Sequence, residues 1–319
     1  MNENFKNKKE DEALKYLEKN FVSNEDNDLE SIQKVDLSYL DTVPSNEYIV
    51  IPLDILPCGL FYKPGTRISI RAAKVQEVQA YSVVDDKNYL DITEKMNQIL
   101  GTCVKYTYAN GMQGSYKDLR DGDRLFLIFM IRELTFPGGK NLSKDVTCNN
   151  CNHEFKMELR ATSSDKLPKS FVNFDMPEKI AKFFDPHEKV FVFPINGVEY
   201  KLAPPTIGIQ EILFGDIKNK MQSDRSPNVS FLKIASFMLY DRNKISDDGI
   251  KNKEQEFKRM DMKTFQILNN AVNQMMFGIK EMKTSCPSCG LEVHTDMSFP
   301  SGASNIFVVS DALDDYFGQ

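Results

Sequence analysis

Thr147-Cys148-Asn149-Asn150-Cys151-Asn152-His153 and Ser285-Cys286-Pro287-Ser288-Cys289-Gly290-Leu291 are the two stretches whose reading decides the fold. Each carries a C-x-x-C between strand-like flanks. Lys144 to Thr147 leads into the first, and Glu154 to Arg160 follows it. Lys280 to Ser285 leads into the second, and Leu291 to Met297 follows it. In both following stretches the apolar residues take alternate positions, the period of a half-buried strand. Two hairpins of one kind are therefore expected, each with a cysteine pair at its tip. Facing one another, the tips supply four thiolates from Cys148, Cys151, Cys286 and Cys289, the ligand set of a structural zinc site. Four free thiols are the competing reading.

The pairs stand about 130 residues apart, against about 15–20 in a compact ribbon. Loop-closure entropy grows only logarithmically, so about three doublings of the loop cost roughly 2 kcal/mol. A structural zinc ion contributes on the order of 10 kcal/mol. The metal outweighs the loop, and a domain inserted between two halves of a zinc ribbon is physically reasonable. Four sulfur ligands leave no position for water, which points to a structural ion rather than a catalytic one.

The chain has 319 residues, a length expected to make about two domains, with enough apolar and aromatic residues for a substantial core. Its formal net charge of −6 disfavours wide contact with nucleic acid, which needs a basic face. No apolar run approaches the ~20 residues of a membrane span, and the polar N-terminal stretch does not read as a signal peptide. Six cysteines, four of them in metal-type pairs, suit a reducing compartment. Cys58 and Cys103 stand alone and are expected to be buried apolar residues.

The fold class expected is α+β, in five parts. Residues 1–45 form an acidic arm holding most of the net negative charge. Its Leu14, Leu17, Phe21 and Val22 fall at helical spacing, so it is either a partly disordered tail or a partner-binding segment. Residues 46–140 make an N-terminal α+β domain. Here Tyr48–Leu53 and Arg67–Ala72 read as strands, and Asp91–Leu100 reads as a helix capped by Asp91. Leu125–Ile131 is apolar throughout and reads as a helix buried on most sides. The ribbon comprises 141–160 and 280–300. Between its halves, 161–279 reads as a mainly helical insertion with a hairpin turning at Asn196-Gly197 and a helix capped by Asp261. Residues 301–319 are expected to hold a strand, Ile306 to Val309, and an acidic aromatic end.

Several of these residues carry a resemblance. Leu56-Pro57 with Gly59-Leu60-Phe61-Tyr62, the Asp91–Leu100 helix, Leu119 with Gly122-Asp123-Arg124, Ile131-Arg132 and the C-x-x-C that follows together resemble the baseplate hub and tail-assembly proteins of T-even-like contractile-tailed bacteriophages. The likeness spans roughly Tyr48 to Leu159 and, more loosely, the second cysteine pair and the acidic end. It implies a structural or assembly role without enzymatic activity. The implied partners are other baseplate or tail proteins and copies of the chain itself, with no small-molecule substrate. The implied location is the virion tail, and the host cytoplasm during assembly.

Catalytic signals are sparse. His153 and His294 flank the two cysteine pairs and are candidate alternative ligands, although four cysteines already complete a shell. His187 sits in a turn. Asp121 and Asp123 are expected to serve the start of the following helix, with a metal or acid–base pair as the lesser reading. Gly138-Gly139-Lys140 lacks the spacing of a phosphate loop. Two alternatives of other classes remain: a zinc-ribbon nucleic-acid-binding or transcription-associated factor, and a metal-dependent enzyme, which would need an open ligand position.

Overall fold

The computed structural model describes residues 47–136, 142–163, 169–222, 229–238, 247–296 and 303–307. The acidic arm, Gly138-Gly139-Lys140 and the end of the chain beyond Phe307 lie outside these residues.

The N-terminal part is a three-stranded antiparallel sheet backed by helices. Strands β1 (Ile49–Ile51), β2 (Arg67–Ile70) and β3 (Val104–Thr107) lie in the order β1-β2-β3. The alternation in Arg67-Ile68-Ser69-Ile70 sends Ile68 and Ile70 into the core, as a strand with one covered face requires. Helices α1 (Val75–Ser82) and α2 (Tyr89–Cys103) follow the second strand. The second of these begins two residues before the expected Asp91. Its cap is Asn88, whose side-chain oxygen accepts the N–H groups of Leu90 and Asp91, while Asp91 lies in the first turn. Helix α3 (Arg124–Thr135) buries almost every side chain, from Phe126 through Leu134. The apolar run Leu125–Ile131 within it reflects covering on most sides.

The two cysteine hairpins form as expected. The first pairs β4 (Ser143–Thr147) with β5 (Glu154–Glu158). The second pairs β10 (Ile279–Ser285) with β11 (Glu292–Thr295). A third strand, β6 (Phe171–Asn173), pairs with β10 on the side away from β11. This strand lies inside the stretch assigned to the insertion, so the insertion is stitched to the ribbon half before its helices begin. Val146, Met157, Phe171, Met282 and Val293 turn inward and join the N-terminal residues in one core.

The remaining stretch adds the short helix α4 (Glu178–Ala181) and a sheet of β7 (Phe184–Asp185), β8 (Val190–Ile195) and β9 (Val198–Leu202). Asn196 and Gly197 take positive φ values of 51° and 79°, as a two-residue hairpin turn demands. Four longer helices complete it: α5 (Ile207–Gln222), α6 (Val229–Met238), α7 (Asp247–Arg259) and α8 (Met262–Gln274). Helix α7 is built from a highly charged stretch, Asp247–Arg259. Asp261 caps α8 by accepting the Thr264 N–H, as its sequence suggests. Leu268, Val272 and Met275 face inward, whereas Met276 is exposed and Ile279 opens β10. Phe191, Phe193, Ile234, Phe257, Leu268 and Val272 are among the residues of this second core.

Near the chain end, Ala303–Phe307 is a 3-10 helix, not the strand expected from Ile306 onward; Val308 and Val309 lie outside the described residues. It fills a groove beside α1 and α3. Ile306 and Phe307 are buried, and the Phe307 ring meets the Tyr81 ring edge-on at 5.1 Å. Tyr81 Oη donates to the Ala303 carbonyl, Arg132 Nε donates to the Ile306 carbonyl, and Asp86 accepts from the Ser304 amide and hydroxyl. Tertiary hydrogen bonds and burial override a β-rich tetrapeptide here.

Candidate metal centre

The two cysteine turns have one backbone geometry. In the first, the Cys148 N–H donates to the His153 carbonyl and the Asn152 N–H donates back to the Cys148 carbonyl, each at 2.9 Å. In the second, the Cys286 N–H donates to Leu291 and the Gly290 N–H donates back to Cys286, again at 2.9 Å. The fourth residue after the leading cysteine takes a left-handed conformation in both, with φ of 56° at Asn152 and 74° at Gly290. Asn and Gly are the residue types that adopt it at least cost.

These turns bring together all four cysteines expected from sequence. Their Sγ atoms lie within 4.8 Å of one another. The Cys148–Cys289 separation is 3.7 Å and the Cys151–Cys286 separation is 3.6 Å. A disulfide needs about 2.05 Å, so these are not disulfides. A tetrahedral ion with metal–sulfur bonds of about 2.3 Å places its sulfurs about 3.8 Å apart. The quartet therefore has the dimensions of a four-thiolate metal site. Cys148 and Cys286 are buried, while Cys151 and Cys289 reach the surface. Lys144 Nζ ties the two hairpins together, donating to Thr295 Oγ1 at 2.8 Å and to the Asp296 carbonyl at 3.0 Å.

The backbone prepares some of these sulfurs to ionise. The amides of Cys151 and Asn150 donate to Cys148 Sγ and hold its thiol down to about 6. The Leu291 amide lowers Cys289 in the same way. At Cys151 the His153 amide also pulls down, but burial and the sulfurs of Cys286, Cys289 and Cys148 push the thiol up to about 11. Negative charge accumulates until the last proton is held back. A cation at the centre relieves that repulsion, which is the chemistry of a metal-thiolate site.

Neither candidate histidine joins the quartet. The His153 ring stacks parallel to Phe155. His294 lies on the open face of β11, with Nε2 2.8 Å from Glu292 and Nδ1 3.1 Å from Glu281. His187 lies in the turn where Asp185 Oδ1 accepts its amide. Cys58 and Cys103 are fully buried, as expected of lone apolar cysteines.

Asp121 and Asp123 stand at the start of α3, as expected, and their carboxylates bond elsewhere than to its amides. Asp123 is at the cap position, yet its carboxylate makes no bond to the helix's own amides. Its Oδ1 accepts the Cys58 N–H at 2.7 Å, and its Oδ2 accepts the Tyr62 hydroxyl at 2.6 Å. Asp121 pairs with Arg124 at 2.7 Å. The Tyr62 oxygen also accepts the Arg120 N–H at 2.8 Å. A buried polar junction thus forms from Cys58, Tyr62, Arg120 and Asp123. Sequence reading missed it because its partners are about 60 positions apart and leave no local pattern.

Comparison of the chain with protein-family models, curated proteins and solved structures finds no match. Among the described residues, no helix is long and apolar enough to cross a membrane.

Proposed function

We propose that this is a structural or assembly protein in which one zinc ion, bound by Cys148, Cys151, Cys286 and Cys289, closes a ribbon split by an inserted module. The observation that carries the reading is the four-sulfur cluster, all within 4.8 Å, built by two turns of the same geometry. A four-thiolate shell leaves no ligand position for substrate or water, so the ion acts by holding two distant chain segments together. A wide, open hollow of about 650 Å³ lies beside Tyr200, Arg259 and Asp261, and a second depression lies between α1 and α2; neither is lined by the four clustered cysteines.

On the resemblance noted above, we propose the hub region of a contractile phage tail baseplate as its setting, in contact with other tail proteins or copies of itself. Of the residues that carry the resemblance, Phe61, Tyr62, Gly122 and Asp123 lie around one buried junction, whereas Leu60 is exposed. Metal analysis of the purified chain, with and without a chelator, tests the zinc. A cryo-EM map of assembled tails from infected cells tests the location. Tight, steeply salt-dependent DNA binding in a gel-shift series would favour the nucleic-acid-binding alternative.

A further inference from the structure

The four clustered sulfurs are not equally placed. Cys148 and Cys286, which lead the two turns, are buried, whereas Cys151 and Cys289, which end them, are exposed. Each exposed sulfur stands close to the buried sulfur of the other hairpin. Cys151 Sγ is 3.6 Å from Cys286 Sγ, and Cys289 Sγ is 3.7 Å from Cys148 Sγ. A reagent arriving from water therefore meets Cys151 or Cys289 first, and a second sulfur is already in place across the hairpins. A disulfide bond is about 2.05 Å long, so each pair has about 1.6 Å to close by turning two side chains.

We propose that the quartet is a site of oxidative modification, at which a peroxide converts the four thiolates into two disulfides between the hairpins, Cys151–Cys286 and Cys148–Cys289, and releases the ion. The inference rests on the metal reading for the ion that is released, but not for the pairing of the sulfurs.

The chemistry balances with hydrogen peroxide as the oxidant. The Cys151 thiolate attacks one peroxide oxygen and the O–O bond breaks, giving a sulfenic acid and hydroxide. The Cys286 thiolate then attacks the sulfenic sulfur, forming the S–S bond and expelling a second hydroxide. Each sulfur has lost one electron and each peroxide oxygen has gained one. Two protons from solvent convert the hydroxides to water. Cys289 and Cys148 consume a second peroxide in the same way. The thiolate is the metal-binding form of cysteine, so the cation leaves as the thiolates are used up.

The pairing decides what the modification does to the chain. Bonds inside each C-x-x-C would close loops of four residues and leave the hairpins unlinked. Bonds between the hairpins span 135 and 141 positions, so they join the same distant segments as the ion. Closing so long a loop also constrains the unfolded chain far more. The reduced chain relies on the ion, and the oxidised chain carries covalent links in its place. Cys58 and Cys103 are buried outside the cluster and are expected to stay reduced.

Peroxide titration of the full, freshly reduced, metal-loaded chain tests this. Released zinc is read with a colorimetric chelator. Remaining thiols are alkylated under denaturing conditions, and disulfides are mapped by mass spectrometry of unreduced digests. About two equivalents of peroxide per chain are expected to release all the bound zinc. The main cross-linked peptides are expected to be Cys151–Cys286 and Cys148–Cys289, with Cys58 and Cys103 alkylated. Dithiothreitol is expected to restore the four thiols and zinc binding. Predominant Cys148–Cys151 and Cys286–Cys289 bonds, or zinc retained after the peroxide is consumed, would overturn the proposal. Zinc absent from the reduced chain at the outset would count against the metal reading alone, and the disulfide map would still decide the pairing.

Discussion

Cys148 Sγ lies 3.7 Å from Cys289 Sγ, although the two residues are 141 positions apart. Nothing about two neutral thiols requires that approach across two separate hairpins. It is the distance between sulfurs that share a four-coordinate ion. The first consequence is that the quartet acts as a unit. Cys148→Ser or Cys289→Ser is expected to abolish metal binding and to unfold both hairpins. A structural ion at such a site contributes on the order of 10 kcal/mol, which rivals the whole stability of a domain. Cys58→Ser and Cys103→Ser are expected to retain the metal, since both lie outside the cluster. Metal content and thermal unfolding of the four variants check this.

Asn152 and Gly290 hold equivalent left-handed positions in the two turns, and this makes a cross-substitution informative. Gly290→Asn is expected to change stability by less than about 1 kcal/mol, because Asn already serves in the sister turn. Gly290→Val puts a β-branched side chain at φ of 74° and is expected to cost about 2 kcal/mol or more. Chemical denaturation of the metal-loaded variants gives both values.

At the junction, the steric limit is Gly122. A methyl group there would overlap a backbone carbonyl and a buried sulfur, neither free to swing aside. Gly122→Ala is expected to destabilise by about 1–3 kcal/mol. Gly215, inside α5, has open space where a Cβ would stand. Gly215→Ala is expected to stabilise by about 0.5–1 kcal/mol through helix propensity. Opposite signs in equilibrium unfolding are the result to look for.

Acid should weaken the N-terminal part through Glu77. This carboxylate makes a two-pronged contact with Arg71, at 2.6 and 2.9 Å, which holds it down to about 2. A carboxyl whose folded value is depressed contributes stability above its unfolded value and loses it as pH falls. The contribution is therefore complete above about 4.5 and disappears as pH drops through about 2. Its size is about 2–3 kcal/mol. In Glu77→Gln, stability at neutral pH is expected to fall by that amount, with a flatter acid limb in a pH-stability curve.

How much of this was legible in sequence depended on whether the signal was local. The cysteine pairs, the Asn196-Gly197 turn, the Asp261 cap and the apolar run of α3 each depend on residues a few positions apart, and each formed where expected. The four-cysteine cluster was legible across more than a hundred residues only because each half carries its own complete turn. Strand β6 was not, since three residues paired to a strand about a hundred positions later carry no distinguishing period. The further partners of Asp123 were not legible for a related reason. An acid before a helix ordinarily suits the helix's positive end, but here burial beside Cys58 and Tyr62 gave its oxygens other donors. The segment ending at Phe307 was misread because Arg132 and Tyr81 hold its carbonyls in a 3-10 turn, a preference its own side chains do not encode.

X-ray absorption at the zinc edge, on the purified full chain with metal content measured alongside, tests the central claim most directly. The expected result is about one zinc per chain with four sulfur neighbours at about 2.3 Å and no oxygen or nitrogen in the shell. A chain that folds with no bound metal, or an ion whose shell contains water or histidine nitrogen, would contradict the account.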